Sequence, residues 1–192
     1  MSQQVQPGTR APAPGDLKVV QQFINSADLE EGTDRLTSTA GLSSWLYEHK
    51  LTERRLRLAP ADVQRARRVR EMLRSLALAN NGFPLRDSDA RAINQEFSRL
   101  PLLARVTPGR AMRIESGAHG LDRALGRILA IVVAEAVSGR WSRLKACPRD
   151  ICHWAFYDHS RSRTGTWCTM AVCGSRVKAQ AYYRRQVKKD RD

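Results

Sequence analysis

All four cysteines of this 192-residue chain fall within 27 residues, at Cys147, Cys152, Cys168 and Cys173. Four residues separate the members of each pair, and fifteen separate the pairs. A gap of four lies inside the usual spacing of about two to four residues for neighbouring zinc ligands. It can be spanned by a loose knuckle or by one turn of helix. Zinc takes four ligands in a tetrahedron, and thiolate is its favoured structural ligand. Two disulfides or four packed thiols are the alternatives. The chain opens "MSQQVQPGTRAPAPGD", without a basic segment leading into an apolar one, so a cytoplasmic protein is expected. In a reducing compartment, clustered cysteines bind metal more often than they cross-link. One structural Zn2+ on Cys147, Cys152, Cys168 and Cys173 is therefore the expectation. His153 and His159 lie between the pairs, but four thiolates already complete the shell. A closed shell has no open position for a substrate and argues against an enzyme.

Charge points to the partner. The formal net charge is +14. From Ser138 to the end there are 13 Lys and Arg against 4 Asp and Glu, a surplus of nine in 55 residues; the preceding 137 residues hold 20 against 15. The basic character thus gathers around the cysteines and favours a polyanion, nucleic acid first. Arg161 and Arg163 sit in a polar loop and read as phosphate donors or as solvated charges. Downstream, Arg176, Lys178, Arg184 and Arg185 extend the basic run along a helix that the "TMAV" between Cys168 and Cys173 is suited to start. Trp154, Phe156 and Trp167 are expected to form a small core around the metal rather than to stack on bases.

Before the cysteines the chain reads as mainly α. Residues 1–15, rich in Pro, Gln and Gly, read as a disordered tail. Val19, Val20, Phe23 and Ile24 recur at helical spacing behind Asp16 as the cap. Leu42, Trp45 and Leu46 mark a short second helix. A helix-start signal at Thr52 is interrupted at Pro60, where a longer helix begins. That helix buries Val63, Ala66, Val69, Leu73 and Leu76, and "NNG" closes it. Another follows, capped by Asp87 or Ser88, with Ala90, Ile93 and Phe97 inward. "LLARVTPGRAMRIES" predicts a β-hairpin near 102–115. "LDRALGRILAIVVAEAV" is the most apolar helix and the expected centre. No apolar run approaches the ~20 residues needed to cross a bilayer.

The segment "RWSRLKAC" through "WCTMAVCGSRVKAQAYYRR" resembles the CGNR-type zinc finger. The family's Cys-Gly-Asn-Arg run falls on Cys173, Gly174, Ser175 and Arg176, with serine in the asparagine position. Serine can donate and accept but reaches less far. "FINSADLEEGTDRLTS", "LSSWL" and "VREMLRSLALANNG" resemble the family's partner domain, called ABATE. The resemblance implies a helical ABATE-like domain over 16–139, the finger over 140–187 and a basic tail over 188–192. It also implies that the four cysteines are the zinc ligands. The protein it implies is a stress-linked bacterial transcription regulator, cytoplasmic and nucleoid-associated. Its finger would bind DNA, with Ser175 among the contacts, while its helical domain senses a small-molecule effector or forms a homodimer. An RNA-binding or ribosome-associated module is the alternative. A small-molecule site or enzyme in the helical domain is the third reading, with Asn25, Asp28, Arg67 and Arg70 as its candidate residues.

Overall fold

The computed structural model describes residues 10–106, 109, 112–177 and 179. Helices α1 (Leu17–Ile24), α2 (Thr39–Glu48), α3 (Pro60–Ala79), α4 (Asp87–Phe97) and α5 (Gly120–Val137) supply most of the structure. Three two-stranded antiparallel sheets are inserted among them. They are β1 (Ala27–Asp28) with β2 (Thr33–Asp34), β3 (Leu102–Val106) with β4 (Met112–Ser116), and β5 (Leu144–Ala146) with β6 (Ala155–Tyr157). The fold is therefore mainly α with a hairpin insertion and a cysteine-bearing C-terminal part, as the periodicity predicts.

The apolar stripes of α1, α3 and α5 build the core. Leu17, Val20, Phe23 and Ile24 of α1 meet Val63, Ala66, Val69 and Leu73 of α3 and Leu125 and Ile128 of α5. Leu42, Trp45 and Leu46 of α2 close one side. Pro60 stands in the first turn of α3, and the Asp62 carboxylate accepts the Ala59 N–H at 2.8 Å, capping an orphan donor. Arg65 ties α3 to Glu96 of α4 and to Asp122 of α5.

Three expectations are corrected. Residues 10–15 are not a disordered tail: Ala13 is buried, and its N–H donates to Gln21 Oε1 at 2.7 Å. Composition alone misses this because the segment is held by other elements' polar groups rather than by its own apolar surface. No helix starts at Thr52. The segment before Pro60 is extended, with alternating Leu56 and Leu58 packed on the core and the Leu56 N–H bonded to Ser43 Oγ at 2.8 Å. At α1, Asp16 occupies the cap position without a side-chain bond.

The β5–β6 hairpin decides how the two parts join. Leu144, Ala146, Ala155 and Tyr157 belong to the same core as α1 and α3, so the core runs unbroken across residue 140. A two-stranded sheet buried this way has backbone groups on its outer edges that need partners. Asn25, which caps the C-terminus of α1, supplies both for Ala155: its Oδ1 accepts the N–H at 2.7 Å, and its Nδ2 donates to the carbonyl at 2.9 Å. Gln21 adds a bond to the same carbonyl at 3.1 Å. On the other strand, Asn80 Nδ2 donates to Leu144 O and Asn81 Nδ2 to Ala146 O, each at 2.9 Å. The Asn25→Ala variant leaves a buried N–H short of its partner and is expected to lose roughly 2–3 kcal/mol. Chemical denaturation monitored by tryptophan fluorescence measures it.

Candidate metal centre

Strand β5 delivers Cys147, whose N–H donates to Trp154 O at 2.9 Å. The chain turns through Arg149, with the Cys152 N–H on Arg149 O at 2.8 Å. His153 then adopts a left-handed φ of 45°, which sends the chain back into β6. The second pair is spaced by one wide helical turn, Met170–Gly174, of the π type. Thr169 caps it: its Oγ1 accepts the Val172 N–H at 3.0 Å. The sequence leaves knuckle or helical turn open for the first pair, which is a knuckle, and suits the second to a helix start, where a helical turn is found. Gly174 has a steric reason. A Cβ there would lie 2.4 Å from Met170 Sδ and 3.0 Å from Trp167 Cδ1.

The four sulfurs converge. Cys152 Sγ lies 3.6 Å from Cys168 Sγ, which lies 3.5 Å from Cys173 Sγ, and all four are within 4.8 Å of one another. A zinc tetrahedron with bonds of about 2.3 Å has edges of about 3.8 Å. A disulfide would need about 2.05 Å. All four cysteines are buried and unbridged. The donor set fits one zinc ion, which would satisfy four thiolates at once and cross-link the two halves of the finger. Hydrogen bonds from Cys152 and Cys168 pull the Cys147 thiol down to about 2, against burial. The bond with Cys147 pushes Cys152 up to about 12, and those with Cys147 and Cys152 raise Cys168 as well. So many sulfurs at one point compete for few protons, the situation a divalent cation resolves.

Trp154 and Phe156 are buried beside the sulfurs and Trp167 packs on them, which makes the expected small core. Neither histidine joins the group. The His153 carbonyl accepts Arg74 Nη1 at 2.8 Å, and His159 Nε2 lies 3.2 Å from the carbonyls of Ala11 and Pro12. Arg149 Nη1 reaches Cys173 Sγ at 3.6 Å while bound to Glu30 at 2.9 and 3.0 Å. That bond to sulfur, with the Glu30 carboxylate, holds the guanidinium above its ordinary value against desolvation. Arg10 donates to Cys168 O at 2.7 Å and Trp167 O at 3.0 Å, its guanidinium 4.8 Å from the Phe156 ring centroid.

The residues named for nucleic acid divide. Arg161 and Arg163 are exposed and make no ion pair with a described residue. Their loop is rigid from beneath. Buried Lys145 bonds the Asp158 carboxylate at 2.9 Å and the carbonyls of Arg163 and Gly165 at 2.6 and 2.9 Å. Asp158 also accepts from Ser160 and from the Gly165 N–H. Burial alone would raise the Asp158 carboxyl, but its bonds with Ser160 and Lys145 hold it well below the usual range. Ser175 is exposed, and its hydroxyl donates to Met170 O at 3.1 Å across the turn after the last sulfur. Arg176 pairs with Glu30 at 2.8 Å. Lys178, Arg184 and Arg185 carry no placement here: the first and the segment from 180 onward lie outside the described residues.

The four candidates in the helical part also divide. Asn25 holds Ala155, as above. The Asp28 carboxylate accepts the N–H groups of Glu30 and Glu31 at 3.1 Å, which builds the β1–β2 turn. Arg70 is buried, bidentate on Asp34 at 2.7 and 3.0 Å and bonded to Glu71. Arg67 reaches Asp34 at 3.2 Å and, with Arg70, lines a cleft against α4. Arg74, Asn80 and Asn81 were missed by sequence reading. Their signals are an arginine on the buried stripe of α3 and two adjacent amides where one would end a helix.

Elemental analysis should find one zinc per chain and almost none in Cys168→Ser. Chelation should erase hydrogen-exchange protection at the amides of Cys152, Val172 and Gly174, while β5–β6, held by the helical core, stays protected. At Asp158 the folded value is depressed. Its contribution is therefore present above the unfolded value of about 3.9 and is lost as pH falls below it. Asp158→Asn should cost about 3 kcal/mol above about pH 5, and the gap to the parent should shrink below about pH 4. Paired denaturation curves across pH measure this.

No curated protein matches the chain. A family model for the CGNR zinc finger matches residues 143–186. The ABATE model, described as "Putative stress-induced transcription regulator", matches residues 17–140. With nearly two thirds of its length under the ABATE model and its four sulfurs inside the CGNR match, the chain belongs to the ABATE family and carries a C-terminal CGNR zinc finger.

Proposed function

We propose that this protein is a DNA-binding transcription regulator and not an enzyme. In this reading the finger contacts the duplex through the loop of Arg161 and Arg163, and the helical part controls it by sensing a ligand or by pairing two copies. The single observation that carries the reading is that loop. It presents two guanidinium groups, exposed and without an ion pair among the described residues, on a backbone locked by a buried Lys145–Asp158 pair. Fixed donors of this kind suit phosphates, which position a protein on DNA. The surplus of nine positive charges from Ser138 onward supports the same partner. A four-sulfur shell without an open position supports a structural rather than a catalytic metal.

The burial of Trp154 and Phe156 favours duplex DNA over the RNA-binding or ribosome-associated alternative, since single-strand recognition relies on exposed aromatic faces. Ser175 and Arg176, both exposed beside the last sulfur, are further candidates for contact, with Arg176 also bonded to Glu30. Among the described residues no helix is long and apolar enough to cross a membrane.

The test is a salt titration of binding to mixed-sequence duplex DNA. Affinity should fall steeply with salt, and Arg161→Ala/Arg163→Ala should flatten the log–log slope by about 2. Single-stranded RNA at matched salt should bind more weakly. Absence of duplex binding at low salt, or an unchanged slope in the double variant, would overturn the reading.

A further inference from the structure

A cleft of about 630 Å³ lies between α3 and α4, and Leu29 of the β1–β2 turn also lines it. Small-molecule sites commonly occupy ~300–1,000 Å³ and combine apolar walls with a few placed polar groups. Both are present. Met72 and Ile93 line it together with Leu29, whose side chain is 42% exposed although large and apolar. Gln64, Arg67 and Arg68 line it too, on the same helix as Met72.

Charge in the cleft is unbalanced. Arg67, Arg68 and Arg70 line it with two carboxylates, Glu71 and Asp89. Asp34 is shared by Arg70 and Arg67, and Glu71 by Arg70 and Arg74. Asp89 at the far wall is engaged by Arg86 at 2.9 Å. Three cations against two anions in the lining leave one positive charge in surplus. Arg68, exposed, makes no ion pair with a described residue, and Arg67 holds its shared partner only at 3.2 Å. Arg70 and Arg74 are buried and committed, so they fix the wall while Arg67 and Arg68 remain to meet a ligand.

We propose that this cleft is the effector site of the helical part and that it takes an amphipathic organic anion. A carboxylate end meets Arg67 and Arg68, and an aromatic or alkyl body lies on Leu29, Met72 and Ile93. This rests on the reading that the helical part senses a ligand, and it names the site and the chemical class. A guanidinium pair suits a planar carboxylate, and the apolar wall rewards a body that inorganic anions lack.

The probe is 2-naphthoate, titrated into the full chain and followed by naphthalene fluorescence and two-dimensional amide NMR. Saturable binding should shift the amides of Gln64, Arg68, Met72, Ser75 and Ile93. Arg68→Glu should weaken it by roughly tenfold or more with the melting temperature unchanged, and Ala92→Trp, which fills the cleft, should abolish it. Neutral 2-methoxynaphthalene should bind much more weakly, and inorganic phosphate should shift none of these amides. Equal affinity in Arg68→Glu, or of the neutral compound, would overturn the anionic assignment. Shifts confined to another part of the helices would remove the cleft yet leave ligand sensing standing. No saturable binding at millimolar probe would remove the site and the ligand class together.

Discussion

A short hairpin cannot be buried with its edges unsatisfied, and the rest of this structure is arranged around that demand. Strands β5 and β6 lie inside the core of the helical part. Their outer backbone groups meet amides instead of water: Asn25 and Gln21 on one edge, Asn80 and Asn81 on the other. Arg74 extends the same logic to the knuckle. Buried in α3, it donates to His153 O, Ile24 O and Ala27 O and is balanced by Glu71. A guanidinium can serve several carbonyls at once from one planar fork, which a lysine cannot. Each such donor also spares a buried carbonyl the cost of standing alone.

The sulfur cluster inherits its geometry from this frame. Cys147 follows directly from β5, and Cys152 is placed by a turn whose exit, His153, is pinned by Arg74. The second pair comes from a separate turn capped by Thr169, and Arg10 and Asn81 hold the stretch before it by the backbone. Cationic groups surround the sulfurs, with Arg149 in direct contact and Arg10 on the adjoining carbonyls. Four thiolates on one divalent ion leave an excess of negative charge, and these guanidiniums are the groups that face it.

Helices α1 to α5 and the β3–β4 hairpin are legible because each carries its own period, and the sulfur ligands because spacing and clustering speak locally; the short β1–β2 and β5–β6 pairs carry no such signal. What was illegible is long-range. Arg10 reaches a carbonyl 158 residues away, and no local pattern marks a residue in a Pro-rich segment as an anchor. Thr52 looked like a cap, yet Leu56 and Leu58 alternate in a strap over the core, so tertiary packing overrode the local signal. Asn25 reads as a polar residue able to meet a ligand, and only the fold shows its amide spent on Ala155. Ser175 illustrates the reverse. Exposed, it stays open to the partner contact that its finger motif implies, while its hydroxyl also bonds Met170 O within the turn.

The core that crosses residue 140 has a mechanical consequence. Many nucleic-acid modules hang from their neighbours by a tether and search independently, so that binding must first restrain the swinging part. Here the β5–β6 hairpin that leads into the sulfur cluster is packed into the helical core, and Arg74 and Asn81 bond its backbone, while the sulfurs keep a small core of their own beside it. The basic loop is carried at a set distance and angle from the helical body, and docking it restrains no linker. A finger cut away at that point would also expose Leu144, Ala146, Ala155 and Tyr157 to water. What looks in sequence like two modules in series is, as an object, one lever with the sulfurs at its end.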